Sequence, residues 1–299
     1  MKKIILSLLF SIVTLSVFSQ ATNRVMSIFP KGTLLYDDLP YAGDTTHKHL
    51  LDIYLPPQHK DKYPVVIWIH GGAWMSNDKY ADMGYMTQTI KGFIDSGYAV
   101  ASIDYRWSTQ AIFPAQIQDC NQAIEYLYQH AEQFLLDRKR FAVIGFSAGG
   151  HLANLLALSA NNDIKDFYTG GKKPHFKIKL VLDFYGPSNL VTLTATDNKD
   201  LKNPVALLLG GAVSDKMDLA KKASPIIYID KDDPPFLIVQ GEKDQSVNPE
   251  QAKSLSAALT SFGVKNELII VPGAPHYGEM FDAESIRKKV FFYLGKYLK

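Results

Sequence analysis

Seven short apolar runs, each followed by a stretch with different spacing, constrain this chain of 299 residues more than any other feature. They are HLLDIYLP (49–56), PVVIWIH (64–70), YAVASIDY (98–105), RFAVIGF (140–146), KLVLDFYG (179–186), PFLIVQG (235–241) and NELIIVPG (266–273). Most of the later runs are almost continuously apolar and rich in Val and Ile. A strand with one wet face would alternate instead, so these suit strands buried on both faces. Helical patterns lie between them, at about 80–96, 114–134, 148–160, 249–262 and 282–298. Strands alternating with helices predict an α/β architecture, a mainly parallel sheet covered by helices on both sides. Two less regular stretches, 161–177 and 187–233, are longer than a simple crossover and are expected to form a surface insertion or small cap. Nothing between 20 and 299 reads as a linker, so a single domain is expected there.

Composition narrows the function classes. Charged residues make up 21% of the chain and the formal net charge is +2, which argues against an electrostatic nucleic-acid binder. The single cysteine, Cys120, lies in a helical pattern and reads as a small buried hydrophobe, so the core must hold the fold without disulfides. At the N-terminus, two lysines precede an uncharged apolar segment from Ile4 to Phe18, and Val17 and Ser19 are small. This is the pattern of a secretory signal peptide, residues 1–19, cleaved near Ser19/Gln20. The segment is short for a membrane span, so an exported protein without stable membrane insertion is expected.

Within RFAVIGFSAGGHLANLLALSA (140–160), a serine sits between two glycines where a strand becomes a helix. A sharp strand-to-helix turn presses the two elements together, and glycine at 145 and 149 avoids the Cβ clash. Ser147 is then held out above the end of the sheet, beside the positive end of the helix. A serine alcohol needs a base, and the base an orienting acid. Of eight histidines, His276 follows the last strand in a loop that can reach this turn; His151, one helical turn after the serine, is expected to pack or cap locally. Asp244 lies just beyond the strand 235–241, at the same end of the sheet, with Glu242 as the competing acid and Asp183 a structural carboxylate. The expected triad is Ser147, His276 and Asp244.

Acyl transfer also requires donors for an oxyanion. The run VVIWIHGGAW offers a strand followed by a Gly-Gly turn, and the amides of Gly72 and Ala73, with that of Ala148, are the expected donors. Gly71 then serves the turn and His70 braces the loop.

Taken together, HGGAW, IDYR (103–106), FPAQIQD (113–119) and GFSAGGHLA resemble the α/β-hydrolase superfamily, and within it the hormone-sensitive-lipase-type esterases and related bacterial acetyl xylan and feruloyl esterases. The resemblance runs from Leu50 to the C-terminus. It implies an eight-stranded, mostly parallel sheet and hydrolysis of carboxylic esters with no cofactor and no metal. One departure is Ala73, where many relatives carry a third glycine; a backbone donor tolerates the change. Asp104, Tyr105 and Arg106 are expected to hold the loop after their strand. The same triad would serve a peptidase of the prolyl-oligopeptidase type or an amide or formamide hydrolase, and a binding protein on an inactive hydrolase fold would be expected to lose a triad member. Trp74, Phe146, Trp107, Tyr185 and Tyr277 are candidates to line an aromatic cleft, with Trp74 narrowing the acyl side. Export and the resemblance favour a small-molecule or oligosaccharide ester as partner: acetyl or feruloyl groups on xylan.

Overall fold

A computed structural model describes residues 25–193 and 203–299. The proposed signal segment lies outside them. Eight strands form one sheet: β1 (Leu34–Pro40), β2 (Leu50–Leu55), β3 (Tyr63–Ile69), β4 (Ala99–Ile103), β5 (Leu136–Phe146), β6 (Ile178–Phe184), β7 (Phe236–Gly241) and β8 (Asn266–Val271). Their spatial order is β1-β2-β4-β3-β5-β6-β7-β8. β2 runs antiparallel to both neighbours, and β3 to β8 are mutually parallel. This is the α/β-hydrolase fold.

β3, β4 and β7 are buried along their whole length, and β5 and β6 from Phe141 and Leu180 onward, as their apolar runs require; β8, at the sheet edge, is only partly buried despite its apolar run. On β3, Val65, Ile67 and Ile69 join one core, together with residues of α2 (Ala115–Gln129), α3 (Ala148–Leu158) and α7 (Glu250–Ser261). Val66 and Trp68 point the other way, into a second core with α1 (Thr87–Asp95) and α8 (Glu284–Tyr297). Period-two alternation along a strand therefore feeds two apolar layers rather than one. Cys120 is fully buried in the first layer, and burial pushes its thiol well above the ordinary range. Between β6 and β7 the described residues include short helices, α4 (Leu190–Leu193), α5 (Pro204–Leu209) and α6 (Met217–Lys222), and a 3-10 turn at Pro225–Tyr228. Among the described residues no helix is long and apolar enough to cross a membrane.

Two expectations need correction. β1 is not among the expected strands: its LLYDDLP segment is interrupted by Asp37 and Asp38 and mostly exposed at the sheet edge, and its pairing with β2 is interrupted by a bulge, so it lacks the signature of the inner strands. The helix expected over 80–96 begins only at Thr87. Its first amides are taken by a remote carboxylate: Asp282 accepts from Gln88 N at 2.8 Å and Thr89 N at 3.0 Å. An acid at a helix N-terminus fixes the start, and residues 78–86 are left to form turns.

Candidate active site

The turn after β5 has the geometry the glycines imply. A Cβ on Gly145 would lie 2.2 Å from the carbonyl oxygen of Gly149, and one on Gly149 would lie 2.1 Å from that of Ile69. No side chain fits either gap, so α3 packs directly on β5 and β3. Ser147 is thereby held at φ 52° and ψ −117°, a conformation non-glycine residues seldom adopt. Its own amide donates to Phe184 O on β6 at 2.9 Å, which anchors the strained residue to the sheet.

The loops after β5, β7 and β8 converge on this serine. Ser147 Oγ lies 2.8 Å from His276 Nε2, and His276 Nδ1 lies 2.7 Å from Asp244 Oδ2. The Asp244 side chain is wholly buried, with no exposed surface. Burial pushes its carboxyl up, but the His276 contact and the amides of Val247 (2.9 Å) and Ser246 (2.8 Å) outweigh that and hold it below the ordinary range. Gln240 Nε2 donates to Oδ2 as well, at 2.8 Å. Four donors around one carboxylate keep it ionised, and an ionised acceptor fixes the imidazole proton on Nδ1. That leaves Nε2 free to accept from the serine hydroxyl. Glu242, the competing acid, turns away and accepts from Gly273 N at 2.7 Å.

The loop after β3 borders the serine from the other side. Gly72 has φ 121°, and Ala73 and Trp74 have φ 53° and 58°. Ala73 thus takes the left-handed conformation that a third glycine would adopt more easily. Among the described residues, the amides of Gly72, Ala73 and Ala148 donate to no other group. The neighbouring residues are braced. His70 Nδ1 donates to Gly71 O at 2.6 Å and its ring stacks on Tyr105, whose hydroxyl donates to His70 O at 2.9 Å. Asp104 receives Lys48 Nζ at 2.8 Å, and Arg106 forks onto Asp119.

A cavity of about 800 Å³ opens over Ser147 and His276. Tyr85, Tyr185, Tyr277, Leu193, Val205 and Ser246 are among its walls, and among the described residues its lining includes no Lys or Arg. Tyr277 is 64% exposed at the rim, whereas Tyr185 is buried with its ring edge-on to His276, centroids 5.0 Å apart. Trp74 touches the cavity yet is only 3% exposed; its indole N–H donates to His151 Nδ1 at 3.1 Å. His151 is fully buried, and its Nε2 donates to Ala223 O at 2.7 Å. Burial lowers its pKa to about 4, so the ring is neutral and can accept from the indole. Phe146 is core, and Trp107 lies outside the cavity with its indole on Asn77 O at 3.0 Å. No group of three or more His, Cys, Asp or Glu among the described residues is placed to hold a metal ion.

Residues 51–259 match the family model described as BD-FAE. The chain belongs to the BD-FAE family. Its resemblance to hormone-sensitive-lipase-type esterases is borne out by relatives named as esterases. The BD-FAE chain is 30% identical to Esterase LipQ of Mycobacterium tuberculosis over 85% of its own length and 59% of that protein. It is 26% identical to the isoprenylcysteine alpha-carbonyl methylesterase ICME of Arabidopsis thaliana over 82% of its length and 56% of the other. It therefore spans somewhat under three fifths of the length of these curated relatives. Among solved structures, a truncated carbohydrate esterase from gut microbiota superposes with TM-score 0.80 at 29% identity, covering 90% of this chain and 98% of that one. A bifunctional GH43-CE protein of Bacteroides eggerthii gives TM-score 0.81 at 34% identity, covering 89% of this chain and 38% of that one.

Sequence reasoning missed Asp82 and Tyr85. Both line the cavity of this BD-FAE chain, and both fall in the stretch 80–96 expected to be helical. Only the late start of α1 turns them toward the site.

Proposed function

We propose that this protein is an exported serine carboxylesterase that cleaves short or aromatic acyl esters, acetyl or feruloyl groups on a plant polysaccharide such as xylan. The observation that carries the reading is the Ser147–His276–Asp244 relay, with contacts of 2.8 and 2.7 Å. His276 takes the proton as Ser147 Oγ attacks the ester carbonyl, and Asp244 stabilises the imidazolium. The carbonyl oxygen, now an anion, is received by the amides of Gly72, Ala73 and Ala148. His276 returns its proton to the departing alcohol, leaving an acyl-serine. Water then attacks that ester by the same route, and the carboxylic acid leaves. Each oxyanion donor is worth roughly 3–4 kcal/mol of barrier.

Support for an uncharged ester comes from the described walls of the cavity, among which no lysine or arginine stands to pair with an anionic substrate. Support for a carbohydrate ester comes from neighbours named as carbohydrate esterases. Exposed Tyr277 offers an aromatic face at the rim, on which a sugar ring can stack. Short acyl groups are expected to be cleaved far better than long fatty ones. Export rests on the apolar N-terminal segment, and secreted protein should begin at or near Gln20.

The test is kcat/KM for acetyl, butyryl, long-chain and feruloyl esters, with acetylated xylan as the polymeric substrate. Ser147→Ala should abolish turnover in a folded protein. Near-normal turnover by that variant removes the reading, and an optimum on long fatty chains removes the substrate assignment.

A further inference from the structure

We propose that Asp82, held by Tyr85 and Tyr185, is a positioning residue that sets the direction of the oxyanion-binding amides. The proposal rests on the esterase reading above.

Asp82 Oδ2 accepts the amide of Gly71 at 2.7 Å. Gly71 begins the Gly71-Gly72-Ala73 turn and packs against the nucleophile elbow; a Cβ there would lie 2.9 Å from Phe146 O and 3.5 Å from Ser147 Cβ. The carbonyl side of the turn has several ties. Gly71 O receives His70 Nδ1, and Gly72 O receives the amides of Met75 and Ser76, each at 3.0 Å. On the amide side, Asp82 is the one partner seen for Gly71 among the described residues. The next two amides are the expected oxyanion donors, and both belong to residues with positive φ, 121° and 53°. The Gly71 amide anchors this stretch of backbone, and the directions of the next two N–H bonds are built on its plane through the torsions of Gly71 and Gly72. A donor must lie within about 2.7–3.1 Å of the position the oxyanion takes, so a small rotation of that plane is felt in the transition state and little in the ground state.

The carboxylate is itself immobilised. Tyr85 Oη donates to Asp82 Oδ1 at 2.5 Å and lies 2.8 Å from Tyr185 Oη, so the Tyr185 hydroxyl supplies the proton of that second contact. The Tyr185 ring is buried edge-on to His276. One continuous line of contacts thus runs from the imidazole that moves the proton to the loop that receives the negative charge. Burial pushes the Asp82 carboxyl up, against the pull of the Gly71 amide and the Tyr85 hydroxyl. A carboxyl confined beside the reacting atoms is costly unless its partners need it.

The experiment compares Asp82→Ala, Asp82→Asn and Tyr85→Phe with wild type. It measures kcat and KM separately on a short acyl ester, inhibition by benzeneboronic acid, whose serine adduct carries an oxyanion-like oxygen, and thermal stability. A displaced donor should cost less than a deleted one, so Asp82→Ala should lower kcat by about 10- to 100-fold. KM should change much less, and the boronic acid should weaken by about the same factor as kcat/KM. Asp82→Asn, which keeps one acceptor for the Gly71 amide, should recover part of both losses, and Tyr85→Phe should show a smaller parallel effect. If Asp82→Ala does not fold, the other two variants carry the test. The proposal is overturned if folded variants keep kcat/KM and boronate affinity within about twofold of wild type, or if the loss lies in KM alone with boronate affinity unchanged. Wild-type protein inactive on every ester would instead overturn the esterase reading, independently of Asp82.

Discussion

Replacing Asp244 by asparagine isolates the electronic role of the acid, because the variant keeps its shape. The carboxylate serves four donors: Oδ1 takes Ser246 N at 2.8 Å and Val247 N at 2.9 Å, and Oδ2 takes His276 Nδ1 at 2.7 Å and Gln240 Nε2 at 2.8 Å. An amide has one acceptor oxygen for these two pairs. If its NH2 faced the two backbone amides, buried donors would oppose each other at about 1–3 kcal/mol per unsatisfied group. With the oxygen on those amides, the NH2 faces Gln240 and His276. Gln240 can turn to present Oε1, which otherwise has no partner, at the loss of its Nε2 bond to Val247 O at 3.2 Å. His276 must then accept at Nδ1, so its proton moves to Nε2, which faces Ser147 Oγ. The base has lost the lone pair it needs. The expected fall in kcat is roughly 10⁴-fold, the scale seen when this tautomer is inverted in triads of this kind, or about 5.5 kcal/mol of barrier. The assay is kcat/KM on p-nitrophenyl acetate, beside circular dichroism and a thermal melt. A folded Asp244→Asn enzyme within about tenfold of wild type would refute the tautomer argument. Glu242→Gln is the control: its carboxylate meets Gly273 rather than the histidine, so a few-fold change is expected.

Three further perturbations have clear expectations. In Gly149→Ala, a methyl group 2.1 Å from Ile69 O and 2.4 Å from His70 O must push strand β3 from the elbow; stability should fall by about 3 kcal/mol or more and activity with it, as denaturant unfolding and ester turnover will show. Trp74→Ala removes a buried indole and the donor to His151, costing about 3–5 kcal/mol in denaturant unfolding; turnover across acyl lengths should shift toward longer chains relative to acetyl. Burial raises the Asp183 carboxyl from 3.8 to about 7, so the folded state holds that proton more tightly than the unfolded one. The resulting stability is present below about pH 4 and lost as pH rises through 7, up to about 4 kcal/mol. Asp183→Asn, which Asn154 can meet with its unpartnered Oδ1 by turning its amide, should therefore gain on wild type between pH 4 and 8, and parallel unfolding curves would contradict this.

The inner strands and the meeting of Ser147, His276 and Asp244 were legible in the sequence because burial on two faces leaves a composition signature and a strand-to-helix elbow demands glycines at fixed offsets. What escaped was set by partners far along the chain. β1 is broken by Asp37 and Asp38 and bulged, so nothing local marks it as a strand. The start of α1 depends on Asp282, almost two hundred residues from the amides it caps, and with that start goes the placement of Asp82 and Tyr85. Trp74 was read as a wall of the cleft from its position after HGGA; its tie to His151 requires the fold, since Ala148–Leu158 must lie beside the loop before the indole can find the imidazole.

His151 has one further consequence. Its two nitrogens are spent in opposite directions, one on the indole beside the oxyanion loop and one on Ala223 O at the end of α6. A single buried ring therefore reports the position of the segment between β6 and β7 to residues next to the nucleophile. Anyone exchanging that segment for one from another enzyme, to retarget the cleft, must bring a carbonyl to the same spot. Otherwise the transplant will arrive with its new walls in place and its chemistry detuned.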